Sequence, residues 1–108
     1  MRALITGVAG FVGGHLAEAI QAETDWQVWG TILDEADRAF VVANVNAAPT
    51  DLRNPTAVRE VIEQVRPDVV FHLAGRNHAC SPALLHSLNT GGTACVVAGA
   101  AVILTSRR

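Results

Sequence analysis

Ala3-Leu-Ile-Thr-Gly-Val-Ala-Gly-Phe-Val-Gly-Gly14 is the stretch on which the fold of this chain turns. An apolar strand of about Arg2 to Thr6 runs into glycines at positions 7, 10 and 13, and a helical pattern follows from Phe11 to about Ala22. Gly7 allows a tight turn out of the strand. Gly10 has no side chain, so a pyrophosphate can approach the backbone, and Gly13 lets the helix pack close to the strand. The free N–H groups and the positive dipole end of the helix then face the phosphates. Glycines alone carry little weight; glycines set between a strand and a helix carry much more. A glycine-rich turn with only a packing role is the alternative.

Outward from this stretch, apolar runs alternate with helical patterns, as in βαβ units and a parallel sheet. The first helix carries Phe11, Val12, Leu16, Ala17 and Ile20 on one apolar face. A second strand spans about Gln27 to Leu33. A third is placed at Val45 to Ala48 rather than at Ala39 to Asn44, because it leads into Asp51-Leu52. Pro49 is tolerable there only if this strand is an edge, as the doubly wound order 3-2-1-4-5 requires. Asn54-Pro55 starts a helix with a cap residue and a proline, Val58, Val61, Ile62 and Val65 form its apolar face, and Arg66-Pro67 ends it. Asp68 to Ala74 is a nearly all-apolar fourth strand, suited to a sheet covered on both faces. Ser81-Pro82 repeats the helix-start signal, Asn89-Thr-Gly-Gly92 interrupts that helix, and Ala101 to Ser106 is the fifth strand. Residues 1–108 make one domain, without repeats or low-complexity tracts.

The Gly-x-x-Gly-x-x-Gly spacing of Thr6 to Gly13 resembles the extended short-chain dehydrogenase/reductase superfamily, the NAD-dependent epimerases and dehydratases of nucleotide sugars. The opening Met1-Arg-Ala-Leu-Ile-Thr-Gly-Val-Ala-Gly-Phe-Val-Gly13, with Val28-Trp-Gly-Thr31, is most similar to its GDP-4-keto-6-deoxymannose reductases and GDP-mannose 4,6-dehydratases. The likeness runs from Met1 to about Ser106 and loosens after Gly75. It implies an α/β Rossmann-like, doubly wound parallel sheet of about five strands, truncated before the last strands, and NAD or NADP as cofactor. The glycine loop of Gly7, Ala9, Gly10, Phe11, Val12 and Gly13 would hold the cofactor's pyrophosphate.

Further residues follow from the same resemblance. Asp34 lies about 20 residues past the glycines, where an acidic side chain accepts from a ribose 2′-OH and favours NAD. Counted from the family's strand pattern that position falls nearer Ile32 or Leu33, and Arg38 can instead meet a 2′-phosphate. A solvated turn residue is the alternative for Asp34. Asp51-Leu52 resembles the family's pair after strand three, where the aspartate bonds the adenine amino group; a cap before Asn54 is the alternative. Phe71-His-Leu-Ala-Gly75 resembles the His-Leu-Ala-Ala/Gly motif, in which Leu73, Ala74 and Gly75 line the cofactor ribose. His72 fits a satisfied core histidine better than a base. Asn89 with Gly92-Thr93 resembles Asn-x-x-Gly-Thr, which supports the active-site helix. His15, His78 and His86 fit no ligand spacing.

Composition sets limits. Half the residues are hydrophobic and the net charge is −2, with no basic excess to suggest nucleic acid. No apolar run reaches membrane-spanning length, and the N-terminus does not resemble a signal peptide. Cys80 and Cys95 are too few for a disulfide framework or metal site, which suits a reducing cytoplasm. The chain has no tyrosine and no lysine. The family's chemistry takes a proton from a sugar hydroxyl with a tyrosine tuned by a lysine, so no catalytic residue is assigned; Ser106 ends where the family's serine-bearing strand ends. The chain therefore reads as the cofactor-binding portion of a nucleotide-sugar reductase, dehydratase or epimerase, its substrate domain absent and self-association expected at the exposed sheet edge. The rivals are a non-enzymatic NAD(P)-binding or redox-sensing module and a degenerate fragment without activity.

Overall fold

The computed structural model describes residues 1–73 in full and the backbone of residues 93–97 and 100–104. The elements run β1 (Arg2–Thr6), α1 (Phe11–Glu23), β2 (Gln27–Ile32), a 3₁₀ helix (Glu35–Phe40), β3 (Asn46–Pro49), α2 (Pro55–Val65), β4 (Val69–His72), β5 (Thr93–Val97) and β6 (Ala100–Leu104). The strands form one sheet in the order β3-β2-β1-β4-β6-β5. Its first four strands are parallel, with Thr6 opposite both Thr31 and His72, and Thr31 opposite Ala48. That is the doubly wound arrangement, α/β and Rossmann-like. The chain runs outward from β1 to β3, then returns to the other side of β1, so the strand order reverses between β1 and β4, the place where ligands sit at the carboxyl ends of such sheets.

Local chemistry explains most element boundaries. Asn54 caps α2: its Oδ1 accepts from the N–H groups of Thr56 at 3.0 Å and Ala57 at 3.4 Å, and Pro55 sits where no N–H is needed. Arg66 closes the helix in a left-handed conformation, φ 50°, directly before Pro67. Leu4 and Val70 meet Val58, Val61, Ile62 and Val65 of α2 on one face of the sheet. Ala3, Ile5, Val28, Ile32 and Val69 meet Ala17 and Ile20 of α1, with Val8, on the other. The alternation along β1 assigns Leu4 and Ile5 to opposite faces.

Two expectations are corrected. Phe11 and Val12 do not join the core face of α1; they are 83% and 61% exposed. The buried face is Gly13, Ala17 and Ile20 instead. A glycine packs the first turn against β1, which rotates the two preceding residues away from the sheet. The third strand lies at Asn46–Pro49, close to where it was expected, and the apolar run at Ala39–Asn44 that was set aside begins in the 3₁₀ helix. At the end of the chain the strand beside β4 lies where the fifth strand was expected, but it is antiparallel to β4 and pairs with an additional strand, β5. Only Ala98 and Gly99 separate β5 from β6. A parallel connection needs a crossover of roughly a dozen residues, so this spacing leaves only the antiparallel pairing. The helix expected after Ser81-Pro82 and its interruption at Asn89 to Gly92 lie outside the described residues.

Candidate functional site

The turn out of β1 is built on Gly7, whose φ of 71° is a conformation side chains rarely adopt. Its N–H donates to Thr31 Oγ1 at 3.3 Å, and the N–H of Val8 donates to Thr31 O at 3.2 Å. The loop is thus tied to β2, not only to its own helix. Gly10 closes it, donating its N–H to Gly7 O at 3.0 Å. A Cβ at Gly10 would sit 3.3 Å from Gly7 O, and one at Gly13 would lie 2.4 Å from the same oxygen and 2.9 Å from Val8 Cα. No side chain fits at Gly13 without moving backbone.

The start of α1 is left open. Gly10 occupies its N-cap position and supplies no side-chain hydrogen bond, and its first turn holds no acidic residue. The N–H groups of Phe11, Val12 and Gly13 open the helix without partners inside it. The start of α2, filled by Asn54, shows the contrast. An uncapped helix end behind a glycine turn, at the carboxyl edge of a parallel sheet, is a cradle for an anion.

The other candidate residues follow the ends of successive strands. Asp34 comes just after β2 as the N-cap of the 3₁₀ helix, exposed, with its N–H donating to Asp37 Oδ2 at 3.1 Å. Ile32 is 2% exposed within the core, so its side chain is not available to a ligand, while Leu33 is 70% exposed. Arg38 turns away from this edge: its guanidinium bonds the Glu35 carboxylate and, at 2.9 Å, Ala47 O. Those hydrogen bonds lower the pKa of Glu35. Asp51 follows β3, and Arg53 grips it, Nε to Oδ1 at 3.1 Å and Nη2 to Oδ2 at 3.2 Å. The same side-chain hydrogen bonds hold the Asp51 carboxyl below its ordinary range. Leu52 packs against the α2 core and Leu73 against the α1 core. Gly7, Ala9, Gly10, Phe11, Val12 and Gly13 therefore form one loop, while Asp34, Asp51 and Leu73 stand on neighbouring strand ends along the same edge. Ala74 and Gly75 lie outside the described residues, as do His78, Cys80, His86, Asn89, Gly92 and Ser106.

His72 is buried, 3% exposed, with Nδ1 2.8 Å from Thr6 Oγ1. Burial lowers its pKa, and among the described residues no charged neighbour contributes. It is a bonded core histidine. In sequence Thr31 and Gly30 register only as part of the second strand, although both shape the loop. A glycine inside a strand was the available signal, since it marks a close approach. Among the described residues no group of histidine, cysteine or carboxylate side chains is arranged to hold a metal, and no helix is long and apolar enough to cross a membrane. A pocket of about 280 Å³ opens between β3 and α2, with Trp29, Arg38 and Gln64 in its wall, and shares no residue with the glycine loop.

The sequence pattern of the NAD dependent epimerase/dehydratase family matches residues 3–101. This chain belongs to that family. It is 30% identical over 95 residues to the GDP-6-deoxy-D-talose 4-dehydrogenase of Aggregatibacter actinomycetemcomitans, across 86% of this chain and 28% of that protein. It is 31% identical over 103 residues to the CDP-paratose 2-epimerase of Salmonella typhi, across 86% of this chain and 30% of that one. Among solved structures, the UDP-glucose 4-epimerase of Thermus thermophilus, in complex with NAD, superposes with a TM-score of 0.62 at 30% identity, over 73% of this chain and 25% of that one. The chain thus spans under a third of the length of these relatives.

Proposed function

We propose that this chain is the dinucleotide-binding portion of an NAD(P)-dependent nucleotide-sugar reductase, dehydratase or epimerase. The observation that carries the proposal is the open start of α1 behind Gly7: the backbone leaves no room for a Cβ at Gly13 and caps the helix with nothing. A pyrophosphate fits the exposed N–H groups, and family membership makes NAD the expected dinucleotide. When bound, the nicotinamide supplies hydride exchange with a sugar carbon.

The chain's own residues hold the cofactor. Gly7, Ala9, Gly10, Phe11, Val12 and Gly13 wrap the pyrophosphate. Asp34 accepts from the adenosine ribose and sets the balance between NAD and NADP. Asp51 and Leu52 receive the adenine, one Asp51 oxygen turning from Arg53 to do so. Leu73, Ala74 and Gly75 line the cofactor ribose. A GDP-linked 6-deoxy sugar is the preferred substrate class of the complete enzyme, in keeping with the opening sequence and with the name of the Aggregatibacter relative. The sequence holds neither tyrosine nor lysine, so the family's catalytic pair is not among its residues. We place the protein in the cytoplasm on its sparse cysteines, and the uncharged, proline-free strand Thr93–Val97 at a sheet edge supports self-association.

Titrating the purified chain with NADH and NADPH, followed by nicotinamide fluorescence, tests the reading. Saturable binding of either supports it, and a folded chain that binds neither overturns it.

A further inference from the structure

Thr6 and His72 end β1 and β4 as register partners. By strand alternation they lie on the same sheet face as Leu4 and Val70, the face packed by α2. Thr6 Oγ1 lies 2.8 Å from His72 Nδ1 and accepts the N–H of Leu73 at 2.9 Å. One buried hydroxyl therefore joins the residue before Gly7, the last residue of β4, and the first residue beyond it. Thr6 is 0% exposed.

We propose that Thr6 and His72 are a positioning pair for the dinucleotide: the Thr6 hydroxyl, braced by the neutral His72 ring, fixes where β4 releases the chain relative to the glycine loop. This rests on the dinucleotide reading above. The cofactor must fit between two backbone segments, one leaving β1 at Gly7 and one leaving β4 at Leu73. Their spacing is set by the hydroxyl that touches both, and a site held in advance binds more tightly than one ordered by its ligand.

The pair works only while His72 is uncharged. A neutral ring can take the Thr6 O–H at Nδ1, whereas an imidazolium donates from both nitrogens and accepts nothing. It would also be a buried cation without a counter-charge. No group facing it from the described residues supplies one. β1 contributes Arg2, Leu4 and Thr6 on this face, with Arg2 at the opposite end of the strand, where it bonds Val65 O and Asp68. α2 turns Val58, Val61, Ile62 and Val65 inward, while Arg59, Glu60 and Glu63 are exposed. Asp51 and Arg53, before α2, are paired with each other. The register partner on β6 is Ala101. Burial lowers the ring's pKa in keeping with this.

The test is NADH titration of the parent chain, Thr6→Val, Thr6→Ser and His72→Asn between about pH 5 and 8, with amide hydrogen exchange at Leu73 and a melting curve for each. In the parent, affinity should fall as the pH drops through the folded pKa of His72, which burial holds below the ordinary value. Thr6→Val should bind about tenfold more weakly at high pH and lose protection at Leu73, while Thr6→Ser retains both. His72→Asn places a non-titrating polar atom near Nδ1, so it should bind more weakly than the parent at high pH but show no acid decline. A folded Thr6→Val that matches the parent in affinity and in Leu73 protection overturns the pair. Should Thr6→Val not fold, a parent-like acid decline in His72→Asn overturns it instead. If the parent binds neither NADH nor NADPH, the dinucleotide reading fails. Leu73 exchange then still decides on the pair: acid-sensitive protection in the parent but not in His72→Asn supports it, and the same protection in both at every pH overturns it.

Discussion

Val8 occupies the space that a side chain at position 30 would need: a Cβ on Gly30 would lie 2.3 Å from Val8 Cγ1 and 2.5 Å from Val8 Cβ. The second residue of the glycine loop is therefore seated on the middle of β2. The loop's shape is set by its neighbour strand as much as by its own glycines.

Gly30→Ala should accordingly destabilise the fold by about 1–3 kcal/mol through overpacking. Val8→Ala removes the two obstructing methyls but leaves the Cβ at 2.5 Å, so the double variant should recover only part of what the two single changes lose separately. Denaturant midpoints of the four proteins measure this coupling. Strict additivity would mean that the two positions do not share the space.

Gly10→Val should leave a folded chain that no longer binds NADH, because branched carbons would stand between the pyrophosphate and the N–H groups opening α1. Gly13→Ala should act differently and damage the fold itself, since its Cβ would meet Gly7 O at 2.4 Å. Circular dichroism beside the titrations separates the two effects. A folded Gly10→Val with parental affinity would remove the phosphate loop from the proposal.

Asp34→Ala should weaken NADH more than NADPH, because only the free 2′-OH loses an acceptor. The readout is the ratio of the two dissociation constants in parent and variant. An unchanged ratio leaves Asp34 as the cap of its 3₁₀ helix and nothing more.

Stability should decline in acid through His72. Its folded pKa lies below the ordinary 6.5, so in the window beneath 6.5 the unfolded chain binds a proton that the folded chain refuses. The contribution is complete above that pH and is lost as the solution is acidified toward the folded value. Melting temperatures across this range, in the parent and in His72→Asn, isolate the effect, and the variant's profile should be flatter there.

No turnover of GDP-mannose or GDP-4-keto-6-deoxymannose is expected from this chain with added NAD(P)(H). Proton transfer by a placed acid or base supplies roughly 10²–10⁴-fold, and the tyrosine–lysine pair that would provide it is absent from the composition. Buried His72 is already committed to Thr6. Turnover by a purified, sequence-verified sample would show that another group does the work.

What the sequence made legible was local. α2 could be bounded because Asn54-Pro55 and Arg66-Pro67 act through their immediate neighbours. The glycine loop was visible for the same reason. Phe11 and Val12 were misplaced because apolar periodicity cannot recognise a glycine as the residue that packs. The 3₁₀ helix, Glu35–Phe40, is short and mixes charged with apolar residues, so it left no periodic signal. The reversed final strand depended on a connection length weighed against a family pattern. The Thr6–His72 contact joins residues 66 apart, which only the strand register brings together.

The two helix starts also bear on how this fold can be made hardier. Gly10 has φ −76° and ψ 170°, angles that an aspartate or serine adopts freely. A capping residue there would supply α1 with the hydrogen bond that Asn54 gives α2, worth about 1 kcal/mol. Its oxygen would then compete with an incoming phosphate for the same N–H groups. Selection for heat resistance alone would drift toward such a residue and silence the site on the way, so a library meant to stabilise this chain should hold position 10 fixed.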